Sequence, residues 1–73
     1  MPKLPRISGR EAVRAFEKAG WEISRQRGSH VVLTKPGSVY TVSIPMHRVL
    51  APGLLRDQLR KAELTVNEFT ELL

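Results

Sequence analysis

The sequence contains no cysteine, which excludes disulfide bonds, thiolate nucleophiles and cysteine-ligated zinc. No apolar run approaches the roughly 20 residues that a membrane-spanning helix requires. Residues 1–6 also lack the hydrophobic core of a secretion signal. These absences predict a cytoplasmic protein with no membrane association.

Acidic residues are missing from the middle of the chain. No Asp or Glu occurs between Glu22 and Asp57, and that interval holds both histidines. The chain carries a net charge of +5 and has a pI of about 10.5. A small basic domain most often binds nucleic acid, an acidic protein or an anionic membrane. The acid-free interval predicts an uncompensated positive surface that attracts a polyanion, and its cations are Arg25, Arg27, Lys35, Arg48 and Arg56.

Local signals predict a single domain over residues 1–73 with the element order αβββαα. Capping boxes that begin at Ser8 and Thr65 start the first and last helices, and Pro52 opens the second helix. Three segments rich in strand-forming residues are separated by short turns, which predicts an antiparallel meander. The strands are predicted at Trp21–Arg25, with half-buried alternation, at residues 30–34 and at Val39–Ile44. Helices on one face of this sheet give a two-layer α+β fold.

The stretch from Arg25 to Leu33 places a histidine, His30, after a Gly-Ser turn and beside arginines. No carboxylate lies near His30 or His47 in sequence, which argues against a metal site and against a Ser-His-Asp triad. The turn also lacks the glycine spacing of phosphate-cradling loops. The remaining candidate is RNA cleavage in which the substrate's own 2′-hydroxyl is the nucleophile. In that reaction His30 transfers the proton, and no metal or cofactor is required. DNA, which lacks that hydroxyl, should be inert.

Several cations are weaker candidates for contact with RNA, and His47 is a possible second acid or base. On pattern alone, a His in this position is more often a solvated turn residue, and arginines repeated every four residues usually form a solvated helix face. The candidates for RNA contact are Arg25, Arg27, Ser29, Lys35, Arg10 and Arg14.

Two non-catalytic functions remain open on the residues alone. The first is a module that binds double-stranded RNA by its shape, through 2′-hydroxyl and phosphate contacts. The second is a protein-interaction domain whose basic face binds an acidic partner. Stable duplex binding without turnover would favour the first, and absence of RNA affinity at low salt would favour the second.

The chain resembles the HicA toxins of type II toxin–antitoxin systems from about Ile7 to Leu73. The most specific part is R-Q-R-G-S-H, which ends at His30; the others are S-G-R-E, A-G-W, P-M-H and P-G-L-L-R followed by a Leu-Thr-Val tail. Two departures are Val31, where family members often have a second His, and Leu54, where they often have Thr.

The resemblance implies a fold like that of the double-stranded-RNA-binding domain and an mRNA endonuclease that arrests growth. It places the catalytic histidine at His30. It also implies a HicB-type antitoxin that covers the active site, with operator DNA contacted only indirectly through the toxin–antitoxin complex.

Overall fold

The computed structural model describes residues 3–73 and shows the predicted αβββαα order. Helix α1 precedes a three-stranded antiparallel sheet in the order β1-β2-β3, and two further helices follow. This arrangement confirms the expected α+β fold, which is like that of the double-stranded-RNA-binding domain. The elements are α1 (Gly9–Lys18), β1 (Glu22–Arg27), β2 (His30–Thr34), β3 (Val42–Pro45), α2 (Pro52–Ala62) and α3 (Val66–Glu71).

Both predicted capping boxes form. The Ser8 hydroxyl accepts a hydrogen bond from the Glu11 backbone N–H at 3.1 Å, and the Glu11 carboxylate accepts one from the Ser8 N–H at 3.0 Å. Thr65 and Glu68 make the same reciprocal pair at the start of α3, at 3.1 and 2.9 Å. Each box satisfies backbone donors that the first turn of a helix leaves unpaired, so these starts were readable from sequence.

The core lies between one face of the sheet and the helices. Val31 and Leu33 on β2 and Val42 and Ile44 on β3 are buried on the covered face of the sheet. Pro45 at the end of β3 is fully buried as well, so the alternation stops there. Helix α3 joins this core through Phe69, whose ring centroid lies 5.1 Å from that of Phe16. Trp21 is also buried. The helices contribute Ala12, Val13, Ala15, Phe16, Leu55, Leu59, Ala62 and Phe69.

Strand β1 corrects one prediction. It runs over Glu22–Arg27 rather than Trp21–Arg25, and all six of its residues are exposed instead of alternating. Ile23, expected on the buried side, is 50% exposed. The register with β2 shifts between Ile23 and Arg25, so Ser24 is an extra residue opposite β2. A bulge of this kind bends an edge strand, and β1 lies at the edge of the sheet.

The third strand is also shorter than predicted. It covers Val42–Pro45, and Val39 and Tyr40 lie outside it and are 90% and 54% exposed. The Ser38 hydroxyl accepts a hydrogen bond from the Tyr40 N–H and donates one to the Tyr40 carbonyl oxygen. These bonds occupy the backbone groups that a strand would pair. Thr41, which lies within the predicted strand, also precedes β3.

The free edge of β3 is covered by α2. The Ser43 backbone N–H donates to Oε1 of Gln58 at 3.0 Å, and Gln58 is 7% exposed. Residues 1 and 2 lie outside the described residues. The segment before α1 is fixed where the Leu50 N–H donates to the Ile7 carbonyl oxygen at 2.8 Å. Over residues 3–73, no helix has the length and apolar character to cross a membrane.

Candidate functional site

A two-residue turn delivers His30 to the start of β2. Gly28 has φ of 58°, a left-handed conformation that glycine adopts without the steric cost other residues incur. The side-chain amide of Gln26 donates to the Gly28 carbonyl oxygen at 3.1 Å and braces the turn. His30 follows immediately and is exposed. The Gly-Ser pair therefore ends one strand and presents the imidazole at the mouth of the next.

His30 lies on the sheet face that the helices leave open. Its neighbour Val31 is buried, and successive strand residues point to opposite faces. Residues directly opposite in neighbouring strands share a face, and His30 is opposite Arg27 on β1 and Pro45 on β3. The next row on this face joins Arg25, Val32 and Ser43. The sheet register thus brings Arg25 and Arg27 onto the same face as His30.

The loop after β3 holds His47 at this end of the sheet. The Met46 N–H donates to the Ser29 carbonyl oxygen at 2.6 Å, which extends the pairing between β2 and β3 beyond His30. The Gly9 N–H donates to the His47 carbonyl oxygen at 2.9 Å. These two bonds attach the loop to the β1–β2 turn on one side and to the start of α1 on the other. His47 is exposed.

Gly9 permits this attachment because it has no side chain. A Cβ built at Gly9 would overlap the Pro45 carbonyl oxygen, so the start of α1 could not approach the end of β3 as closely with any other residue. The sequence indicated Gly9 only as part of a capping box. Its partner is 36 positions away (45 minus 9), and no local signal predicts that approach.

The remaining predicted RNA-contact residues are spread more widely. Arg10, in the first turn of α1, is near the His47 attachment, whereas Arg14 borders a groove formed with Lys18 and the C-terminal Leu73. Lys35 follows the far end of β2, about 16 Å from His30 at roughly 3.3 Å per residue. The structure therefore brings Arg25, Arg27 and Ser29 to His30 but does not bring Lys35 there.

The groups on this face suit proton transfer and charge stabilisation. Within residues 3–73, neither Arg25 nor Arg27 forms a salt bridge with a carboxylate, so both guanidinium groups remain available to an anion. Over the same residues, no group of three or more His, Asp and Glu side chains is placed to hold a metal ion. An imidazole can move a proton near neutral pH, and neighbouring guanidinium groups can stabilise charge on phosphate oxygens.

Comparison with known proteins identifies the family. The family model described as the HicA toxin of bacterial toxin–antitoxin systems matches residues 9–64. That range contains α1, the whole sheet and α2, and therefore His30 and the arginines beside it. No curated protein matches the chain. Because the family model covers most of the 73 residues, the chain belongs to the HicA toxin family and is the toxin of a bacterial toxin–antitoxin system.

Proposed function

We propose that this toxin is an endoribonuclease that cleaves mRNA without a metal ion and uses His30 to transfer the proton. The observation that carries the proposal is the sheet register, which sets His30 directly opposite Arg27 on an open face. An open sheet face can accommodate a long polymer such as RNA, whereas a closed pocket cannot. Arg25 lies in the next row and extends the positive surface along the same face.

The proposed reaction uses the RNA as its own nucleophile. His30 in its neutral form accepts the proton of a ribose 2′-hydroxyl, whose oxygen forms a bond to the adjacent phosphorus. The bond from phosphorus to the 5′-oxygen breaks, and that oxygen receives a proton. The products are a 2′,3′-cyclic phosphate and a 5′-hydroxyl. Arg27 and Arg25 stabilise the charge that builds on the phosphorane oxygens.

His47 is the proposed donor of the second proton. It is exposed, and its backbone carbonyl is bonded to the start of α1 while its neighbour Met46 is bonded to the turn before His30. The loop is therefore held at the His30 end of the sheet. Ser29, Arg10 and Arg14 are weaker candidates for contact with the RNA backbone, and they would act through affinity rather than through the reacting atoms.

We further propose that a HicB-type antitoxin neutralises the toxin by covering the His30 face. The acid-free interval from Glu22 to Asp57 supports this, since the same cations can bind RNA or an acidic protein surface in turn. Binding of RNA should then decline as the antitoxin saturates the toxin. RNA binding that is unchanged in the saturated complex would contradict the shared surface. Operator DNA would be reached only through that complex, and the proposed place of action is the cytoplasm.

Expression of the chain in bacteria tests the proposed activity. Wild type should arrest growth and deplete mRNA, and His30→Ala should do neither while it folds normally, because His30 is exposed. Lys18→Ala is the matched control, because Lys18 is an exposed charged residue on α1. Growth arrest and mRNA loss that persist in His30→Ala would overturn the assignment.

The fold itself favours one second candidate, a non-catalytic double-stranded-RNA-binding module. In that case duplex RNA would be bound and left intact, and His30→Ala would bind it with unchanged affinity.

A further inference from the structure

A cleft lies at the end of the sheet opposite to His30. The loop between β2 and β3 forms one side, the end of α2 forms the other, and Trp21 contributes to its wall. The cavity measures about 290 Å³, close to the lower limit for pockets that hold small organic ligands. Lys35 and Tyr40 stand on the loop side, and Lys61 and Glu63 stand on the helix side.

A buried tryptophan forms part of the wall of this cleft. Trp21 is 3% exposed, and its Nε1 has no hydrogen-bond partner among residues 3–73. Buried indole N–H groups normally find an acceptor, because an unpaired donor has lost its hydration without compensation. An acceptor in the cleft cannot reach this N–H, because Nε1 has almost no accessible surface. Trp21 therefore closes the cleft from behind, and a ligand must be held by the exposed side chains that line it.

The loop side of the cleft is preorganised by hydrogen bonds within the loop. Gly37 has φ of 88°, and the Ser38 N–H donates to the Lys35 carbonyl oxygen at 3.0 Å. The Ser38 hydroxyl then holds both backbone groups of Tyr40. Tyr40 is 54% exposed, so an aromatic ring on a braced loop is available at the rim. Such a ring is a stacking platform for a planar base.

The charges in the cleft are mixed and select against a bare anion. Lys35 forms no salt bridge among the described residues, whereas Nζ of Lys61 lies 3.5 Å from a carboxylate oxygen of Asp57. Glu63 adds a carboxylate to the lining. A carboxylate repels phosphate but accepts a hydrogen bond from an amino group. One available ammonium, one acceptor and one aromatic ring correspond to the phosphate, the amino group and the ring of a nucleotide.

We propose that this cleft binds an unpaired nucleotide of the RNA that the His30 face cleaves. The base stacks on Tyr40 at the rim, and Lys35 pairs with the phosphate. The inference rests on the proposed RNA cleavage and adds a second subsite to it. The cleft lies about 16 Å from His30 along β2, so it would read a base several positions from the cut.

The chain provides its own reporter for this cleft, because Trp21 is its only tryptophan. His30→Ala protein, which leaves RNA intact, is titrated with single-stranded RNA oligomers and separately with nucleoside monophosphates while Trp21 emission is followed. We expect a saturable change in emission. Tyr40→Ala and Lys35→Ala in the same background should each weaken binding about fivefold or more. Lys18→Ala is the control, because Lys18 is an exposed lysine outside the cleft.

The possible outcomes test nucleotide binding in the cleft separately from the proposed cleavage reaction. Equal affinity in Tyr40→Ala, Lys35→Ala and their parent, or no change in emission with any RNA, would overturn the subsite. Binding of mononucleotides but not of oligomers would overturn the assignment to RNA and leave a site for free nucleotides. Cleavage that survives His30→Ala would remove the proposed reaction, yet the Trp21 titrations would still report whether the cleft binds a nucleotide.

Discussion

Replacing Gly9 with alanine tests how α1 is joined to the His30 end of the sheet. The added Cβ would overlap the Pro45 carbonyl oxygen, so α1 must move away from β3. That shift strains or breaks the 2.9 Å hydrogen bond from the Gly9 N–H to His47. Forced overlap in a packed region costs about 1–3 kcal/mol, and the lost hydrogen bond costs about 0.5–1.5 kcal/mol. Alanine's higher helix propensity returns at most about 1 kcal/mol.

The net loss is therefore about 0.5–4.5 kcal/mol of the free energy of unfolding. A chain of this length is expected to have about 4–11 kcal/mol in total, at 0.05–0.15 kcal/mol per residue. Urea unfolding followed by circular dichroism measures the difference. Gly53→Ala is a matched control, because Gly53 is in the first turn of α2 and a Cβ there meets nothing within 4 Å. The control should be neutral or slightly stabilised, and a Gly9→Ala protein as stable as that control would refute the close approach.

Two further stability predictions concern the edge of β3 and the N-terminal cap of α3. Gln58→Ala should lower the free energy of unfolding by about 1–3 kcal/mol, because it removes the acceptor for the Ser43 N–H. The control is Gln26→Ala, at an exposed glutamine, which should change the free energy of unfolding far less in urea unfolding. Equal losses in the two variants would contradict the role of Gln58. Hydrogen bonds from the backbone and side chain of Thr65 hold the pKa of the Glu68 carboxyl below its ordinary value of 4.5. Glu68 therefore stabilises the fold above that value and loses the contribution as pH falls through its lowered pKa. Thr65→Ala should cost about 1 kcal/mol at pH 7. It should reduce this acid-side dependence only in part, because alanine keeps the backbone N–H that makes the largest contribution to the lowered pKa. Glu68→Gln should remove the dependence, and a dependence that survives Glu68→Gln in unfolding measured at several pH values would contradict the role of Glu68.

The element order and the position of His30 were predictable because their signals are local. A capping box needs four consecutive residues, and both boxes formed as predicted. The turn before His30 needs a glycine with positive φ, and Gly28 supplies it. Alternation along β2 then fixed the face on which His30 lies, because Val31 and Leu33 could be recognised as core residues.

The errors arose where contacts other than strand propensity decide the outcome. Ile23 fits a half-buried strand, but β1 is an edge strand with a bulge, so its side chain stays half exposed. Val39 and Tyr40 have strong strand propensity, yet the Ser38 side chain takes the backbone groups of Tyr40. Strand propensity takes no account of bulges or of side-chain hydrogen bonds to the backbone. The end of a strand is therefore harder to predict than the presence of the strand.

In the candidate site, too, closeness in the sequence and closeness in the fold differ. Arg27 was grouped with His30 because the two are close in sequence. Their cross-strand pairing depends on β1 reaching Arg27, two residues beyond the predicted end of the strand. His47 reaches the same end of the sheet only through backbone bonds to Gly9 and from Met46 to Ser29, which no spacing in the sequence reveals. Lys35 was grouped with these cations by charge, and the length of β2 separates it from them.

The central claim is that His30 moves the proton while the RNA supplies the nucleophile. The most direct measurement is the single-turnover cleavage rate of an RNA oligomer by purified protein in EDTA, with the product ends identified. Wild type should yield 2′,3′-cyclic phosphate and 5′-hydroxyl ends, and a single 2′-deoxy substitution at the cut should block cleavage. His30→Ala should lower the rate by about 10²–10⁴-fold with its circular dichroism spectrum unchanged. Cleavage by His30→Ala at the wild-type rate in EDTA would contradict the claim.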